Sequence, residues 1–178
     1  GEPHFSRMVT AARNQPQSIQ AVADYFRSAP DGMATLLSNH DGFAGQRPWD
    51  QLGGNLAQLR LAAASYLLLP GTPFVYYGEE IGMAGAATLT GDPRLRTPMS
   101  WTADSLRGGF TTGTPYRALS ANVATRNVAA QQADPDSLLA FYKGLIGLRH
   151  ARAEIAQGRY EASFVDGSVL GYQRALGS

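Results

Sequence analysis

MATLLSNHDGF, Met33 to Phe43, is the stretch on which the reading of this chain turns. An apolar run, Ala34 to Leu37, stops abruptly at Asn39, His40 and Asp41, three side chains able to hydrogen-bond a polyhydroxylated ligand. A few continuous apolar residues followed by polar groups at the carboxyl end mark a short buried strand of an α/β protein. In parallel-strand folds ligands sit at that end.

On the amino-terminal side, Ser18 to Ala29 reads as a helix with Ile19, Val22, Ala23 and Phe26 on its buried face. Ser18 is its expected cap and Pro30 its stop. Asp31-Gly32 is a turn, and Gly1 to Pro16 is polar and irregular, a predicted loop. On the carboxyl side comes a glycine-rich loop, DGFAGQRPWDQLGGN, ending at Asn55. Leu56 to Leu69 is a long apolar helix closed by Pro70-Gly71. Phe74 to Tyr77 reads as a second buried strand, ending in Gly78-Glu79-Glu80. Strand, helix, strand at this spacing is a βαβ unit, almost always right-handed, so both strands present their polar ends on one rim.

Ile81 to Asp134 is a long segment rich in Gly, Thr, Pro and Arg, in which Trp101, Phe110 and Tyr116 argue for order. A helix follows from Ser137 to Ala156, with Leu138, Phe141, Tyr142, Leu145 and Leu148 on one face. Tyr160 to Val165 and Val169 to Arg174, separated by Asp166-Gly167-Ser168, carry a hairpin signal. The character changes from α/β to all-β near residue 158.

The 178 residues are 44% apolar, enough for one domain with a real core. Charge is nearly balanced, 15 basic against 14 acidic residues, so no electrostatic argument favours nucleic acid or a membrane surface as partner. The absence of cysteine excludes disulfides and thiolate metal sites and leaves the compartment undetermined. No apolar run approaches the ~20 residues needed to span a bilayer. The opening GEPHFSRMVT has no signal-peptide pattern, and a removed signal or upstream sequence stays open.

Four stretches taken together resemble the α-amylase superfamily, family 13 glycoside hydrolases. They are LLSNHDG, LLLPGTPFVYYGEEIGM from Leu67 to Met83, RTPMSW from Arg96 to Trp101, and NVAAQQADPDSLLAFYKGLIGLRH from Asn127 to His150. In order and spacing they cover roughly residues 16 to 174, and the detailed likeness is to bacterial α-amylases and α-glucosidases. The resemblance implies an α/β fold, a partial (β/α)8 TIM barrel. Ala34 to Leu37 becomes its seventh strand, Phe74 to Tyr77 its eighth, and Ser137 to Ala156 its eighth helix. Residues 1–157 are then the carboxyl-terminal portion of the barrel, and 158–178 the start of a small β-domain. A complete barrel needs ~250 residues, and the retaining reaction needs two carboxyl groups about 5 to 5.5 Å apart. By the resemblance these come from the ends of the fourth and fifth strands, which this chain does not match.

What the resemblance implies for the site is a catalytic Asp41 that stabilises the transition state and, with His40, holds sugar hydroxyls. Asn39 is expected to orient its neighbours. Arg96 matches the arginine of the family's R-T-P-M, where substrate contact and loop anchoring stand equal. Trp49 either touches ligand or packs its loop down. Arg47 is a further binding candidate, either beside Asp41, holding it ionised, or solvated on its loop. Glu79 and Glu80, as neighbours on a strand, point to opposite faces and are assigned structural roles. Asp92 invites a calcium reading, as some amylases bind that ion. A hard cation wants six or more oxygens and no local cluster supplies them, so no metal or cofactor is expected. His4 and His150 read as surface residues.

The expected partner is an α-glucan oligosaccharide. The remainder of the barrel, or a second copy pairing through open sheet edges, is expected to complete the fold. Two alternatives accompany the hydrolase reading: a non-catalytic sugar-binding or interaction module, and a transglycosylase using the same residues.

Overall fold

The computed structural model describes residues 4–30 and 32–177. Asp31 of the predicted turn and Gly1 to Pro3 of the predicted loop lie outside the described residues, as does the side chain of His4.

The chain opens on helix α1, His4–Ala12, where a loop was expected. Met8, Val9 and Ala12 are buried in the core. Phe5, Met8, Val9 and Ala12 stand at i, i+3, i+4 and i+7, a helical spacing that the reading of this segment as polar and irregular missed, and packing of Met8, Val9 and Ala12 holds so short a helix. Helix α2, Pro16–Ser28, starts two positions before the predicted Ser18, with Pro16 in the first turn, where its missing N–H has no intrahelical partner to lose. Ser18 is therefore no cap. It is buried inside the helix and accepts a hydrogen bond from Thr10 Oγ1 at 2.7 Å. Ile19, Val22, Ala23 and Phe26 are buried, as the spacing predicts.

Strands β1, Ala34–Thr35, and β2, Thr72–Pro73, pair in parallel, with Ala34 opposite Thr72. The Thr72 amide donates to Met33 O and the Phe74 amide to Thr35 O, both at 2.8 Å. Helix α4, Leu56–Leu68, connects them, its start capped by the Asn55 side chain accepting from the Gln58 amide. Two short helices, α3 (Pro48–Gln51) ahead of it and α5 (Gly91–Leu95) beyond β2, lie in the flanking loops. The parallel strand, helix, strand order is as read from sequence, but the second strand is not where it was predicted. The Phe74 amide makes the last bond of the ladder, Val75 to Tyr77 leave it, and Phe74 is 58% exposed. Among the described residues β2 has β1 on one edge and no strand on the other. Aromatic and β-branched residues gain their strand preference from neighbours they pack against, and beyond Phe74 no strand pairs with this segment among the described residues.

Helix α6 is Val128–Gln131 and α7 is Leu138–Ala151, the latter capped by Ser137 Oγ accepting from the Ala140 amide at 3.1 Å. The predicted helix to Ala156 breaks at Arg152, which is extended, and resumes as α8, Ala153–Gln157. Leu138 and Tyr142 of the predicted face are buried, whereas Leu148 is exposed. The tail is an antiparallel hairpin, β3 (Arg159–Asp166) and β4 (Val169–Ala175). Its Tyr160, Leu170 and Tyr172 pack against the same core as α1, α2, α4 and α7.

At the carboxyl end of α4, Arg149 donates to Leu67 O at 2.8 Å and to Gly71 O at 2.6 Å. Arg174 of the hairpin donates to Leu68 O at 3.0 Å. The long Ile81–Asp134 segment is ordered by side chains bonding its backbone. Gln131 Nε2 donates to Ile81 O at 2.7 Å, Ser120 Oγ to Ala84 O at 2.8 Å, and Asn122 Oδ1 accepts from the Ala84 amide at 3.0 Å.

Candidate functional site

Beyond β1 the chain stays buried through Leu37 and Ser38 and surfaces at His40 and Asp41. Asn39 Oδ1 accepts from the Asp41 amide at 2.8 Å, turning the chain back on itself. Into that bend comes Arg96, just after α5. Its Nε donates to His40 O at 2.9 Å, and its Nη2 donates to Asp41 Oδ1 at 2.7 Å and Asp92 Oδ2 at 2.8 Å. Asp92 Oδ1 in turn accepts from the Gly42 amide at 2.7 Å. The other carboxylate oxygen of Asp41 lies 3.3 Å from His40 Nε2, and the Asp41 side chain is 36% exposed. One oxygen is thus fixed by a guanidinium while the group still faces solvent beside an imidazole. An oriented carboxylate of this kind accepts hydroxyl donors and favours positive charge developing near it.

The sequence named Arg96 with two roles open, and here its three hydrogen bonds tie the His40–Asp41 bend to α5. It did not name Asp92 as the second carboxylate on the same guanidinium. The spacing of Asp92 and Arg96 on one helical turn was the available signal. Among the described residues no three His, Asp or Glu side chains group as metal ligands.

Arg47 is neither beside Asp41 nor in solvent. It is fully buried, donating from Nη1 to Tyr77 O at 2.5 Å and from Nη2 to Leu95 O at 2.8 Å. Its guanidinium carbon stacks 4.5 Å and 4.8 Å from the ring centres of Tyr76 and Tyr77. A planar, weakly hydrated cation with a fork of donors suits such a site where lysine would not. Trp49, on α3, is half-buried against the core with the Arg126 guanidinium 4.6 Å over its ring. A Cβ on Gly54 or Gly82 would come within 2.8 Å and 2.9 Å of that ring. The ring is thus wedged between backbone segments, which is the loop-packing alternative.

Glu79 and Glu80 lie in a short 3-10 turn after β2, not on a strand. Glu79 is buried, and Tyr66 Oη donates to its Oε1 at 2.5 Å. Burial pushes its carboxyl up to about 8, with the Tyr66 hydrogen bond pulling the other way. Beside Arg96 opens a cleft of about 520 Å³ lined by Tyr77, Glu80, Thr97, Trp101, Phe110 and Tyr116. Tyr116 Oη donates to Arg96 O at 3.3 Å, which joins the cleft to the Asp41 cluster. Thr97 Oγ1 and Glu80 Oε2, both at its wall, are buried without a hydrogen-bond partner.

A parallel strand, helix, strand unit with an acid, an imidazole and a guanidinium gathered at the carboxyl rim defines an α/β protein, and in such folds the strand ends are where ligands bind. The chain belongs to the α-amylase family: residues 4–158 match the profile described as alpha amylase, catalytic domain. It is 42% identical over 125 residues to "Alpha-amylase SusG" of Bacteroides thetaiotaomicron, covering 70% of this chain and 17% of that protein. It is 32% identical over 168 residues to an "Oligo-1,6-glucosidase" of Heyndrickxia coagulans, covering 75% of this chain and 30% of that one. Among solved structures, isomaltulose synthase mutant D241A from Erwinia rhapontici NX5, in complex with D-glucose, aligns with a TM-score of 0.76 at 25% identity. The alignment covers 91% of this chain and 36% of that one. The chain therefore spans about a third or less of the length of the proteins it matches. Its fold class is α/β, of the (β/α)8 kind.

Proposed function

We propose that the chain supplies part of the sugar-binding rim of a retaining glycoside hydrolase acting on α-linked glucose oligosaccharides. In this reading β1 and β2 lie in the seventh and eighth strands of the barrel, residues 1–157 are its carboxyl-terminal portion, and 158–178 open a β-domain. Asp41 grips the ring being cleaved and stabilises its oxocarbenium-like transition state, with His40 on the same hydroxyls. The nucleophile and general acid come from strands beyond those described. The observation that carries the reading is the Asp41 carboxylate, half-open to solvent and fixed between Arg96 and His40. The cleft next to it supports the same reading. Flat aromatic faces combined with unpartnered buried oxygens suit a ring that is apolar on its faces and hydroxylated at its edge.

A transglycosylase of the same family is the second reading, favoured by the isomaltulose synthase alignment and by 38% identity over 112 residues to "Trehalose synthase" of Thermus thermophilus. Hydrolysis and transfer differ in whether water or a second sugar takes the glucosyl group.

The test is incubation of the chain with p-nitrophenyl α-glucoside, alone and within the longer protein that carries it. No turnover is expected from the chain alone. In the longer protein Asp41→Asn is expected to reduce kcat/KM by about a hundred- to a thousandfold, as for an electrostatic group acting in the transition state. Turnover by the chain alone, abolished by Asp41→Asn, would overturn the assignment of roles. Unchanged kcat/KM in the longer variant would remove Asp41 from the reaction.

A further inference from the structure

One buried group lies behind the rim without belonging to it. Glu79 is fully enclosed where four segments meet. Its Oε1 accepts from Tyr66 Oη of α4 at 2.5 Å and from Tyr142 Oη of α7 at 3.4 Å. Its Oε2 lies 3.5 Å from Ser38 Oγ, itself 2% exposed. Ser38 is the last buried residue before Asn39, His40 and Asp41. We infer that Glu79 is a positioning residue, whose carboxyl, through Ser38, sets where the His40–Asp41 bend emerges, and whose proton decides which way that link points. The inference rests on the reading of Asp41 as the ligand-gripping group, but its geometry can be tested without any ligand.

The argument is one of donors and acceptors. Oε1 is occupied by two phenol hydroxyls, so the proton of the neutral acid belongs on Oε2 and is donated to Ser38 Oγ. When the acid ionises, Oε2 becomes an acceptor and the serine hydroxyl must rotate to donate instead. A serine hydroxyl can accept or donate by turning about its Cβ–Oγ bond, and a buried one has few alternative partners, so ionisation of Glu79 reverses the polarity of the link and the amides just beyond Ser38 sense the change. The groups facing Glu79 are the Tyr66 and Tyr142 phenols, the Arg47 guanidinium, whose charge favours ionisation, and Glu80, whose charge opposes it. Burial outweighs the Arg47 guanidinium and the phenol bonds, and holds the carboxyl at about 8. Both phenols are themselves pushed well above the ordinary tyrosine range, first by burial and then by the Glu79 charge. They therefore stay protonated donors while Glu79 titrates.

The experiment follows backbone amide signals of the isotopically labelled chain from about pH 6 to about pH 9.5, a window that brackets the carboxyl. Ser38, Asn39, His40 and Asp41 are expected to share an inflection near its ionisation, together with Tyr66 and Tyr142. Glu79→Gln is expected to abolish the shared inflection. Rim amides that stay silent in the unaltered chain, or an inflection that persists in Glu79→Gln, would overturn the inference. If the glutamine variant fails to fold, Ser38→Ala serves, since it leaves the carboxyl and both phenols in place. It should silence the rim amides while Tyr142 still responds, and a rim that still responds refutes the route through Ser38. None of these readouts depends on whether the rim binds sugar, so Asp41 failing as a ligand group and Glu79 failing to position it are distinguishable results.

Discussion

Replacing Arg47 with methionine sets two large terms against each other. Methionine keeps most of the buried stem but leaves Tyr77 O and Leu95 O without their donors at 2.5 Å and 2.8 Å. Hydrogen bonds from a charged donor are worth about 1.5–3 kcal/mol each. Stacking on Tyr76 and Tyr77 adds about 1–2 kcal/mol in a dry site. Against this gross loss of about 4–8 kcal/mol stands relief from burying a cation, an effective penalty of several kcal/mol. The guanidinium lies between two carbonyl oxygens and two ring faces, which replace much of its lost water, and only its Nε lacks a partner. The balance favours arginine by about 2–4 kcal/mol. Urea unfolding, followed by tryptophan fluorescence and circular dichroism together, should show Arg47→Met shifted to a clearly lower midpoint with an unchanged slope. Arg47→Lys should recover no more than about half of the loss, because a lysine ammonium neither bridges both carbonyls nor stacks as a plane. A methionine variant as stable as the original would mean that the buried charge is a burden the fold merely tolerates, and the reasoning would be wrong.

Arg96→Ala should lower stability by under about 1 kcal/mol, since its ion pairs are more than a third exposed. It should nonetheless weaken binding of maltotriose at least tenfold, measured by titration calorimetry on a protein that binds it. The pH dependence of stability has a defined sign. Glu79 holds its proton up to about 8 in the folded chain, against about 4.3 when unfolded. Its contribution is therefore full below that unfolded value and is lost as pH rises through about 8, a total of about 5 kcal/mol at ~1.4 kcal/mol per pH unit. Glu79→Gln should flatten this fall in denaturation midpoints, and an equally steep fall in the variant would remove Glu79 as its source. Gly78→Ala should destabilise by several kcal/mol in thermal melts, because φ is +87° and the new Cβ would lie 2.3 Å from Met83 Sδ. Finally, with Phe74 and Val75 exposed beside an open strand edge, sedimentation should find the chain self-associated. A monodisperse monomer would count against that expectation.

The parts of the molecule that were legible in the sequence share one property: their signal is local. The apolar run ending in Asn39-His40-Asp41, the Leu56 helix and the hairpin around Gly167 each carry their pattern within one continuous stretch of the chain. The site's second half is non-local, since Arg96 meets Asp41 across a separation of 55 positions, and no periodicity links them. Arg47 misled because an arginine on a polar loop reads as solvated, and only the Tyr76 and Tyr77 rings and two carbonyls, contributed from elsewhere, make its burial tolerable. Glu79 was assigned a structural role, but as one of two neighbours on a strand rather than in a turn, and the tyrosine partners that define the role lie 13 and 63 positions away. Phe74 to Tyr77 show the converse failure. Their composition is that of a strand paired on both edges, and strand preference expresses itself through the neighbours a segment packs against, which these residues lack on the far edge of β2 among the described residues.

The two guanidiniums at the end of α4 have a mechanical corollary. Arg174 holds Leu68 O while Arg149 holds Leu67 O and Gly71 O, one residue before β2 begins. The partial negative charge of a helix terminus is thus shared between a neighbouring helix and the tail. A pull on the hairpin travels through Arg174 into the end of α4, next to the carbonyls that Arg149 holds, so tension at the tail is felt at the root of β2, the strand that leads on to the Glu79 turn.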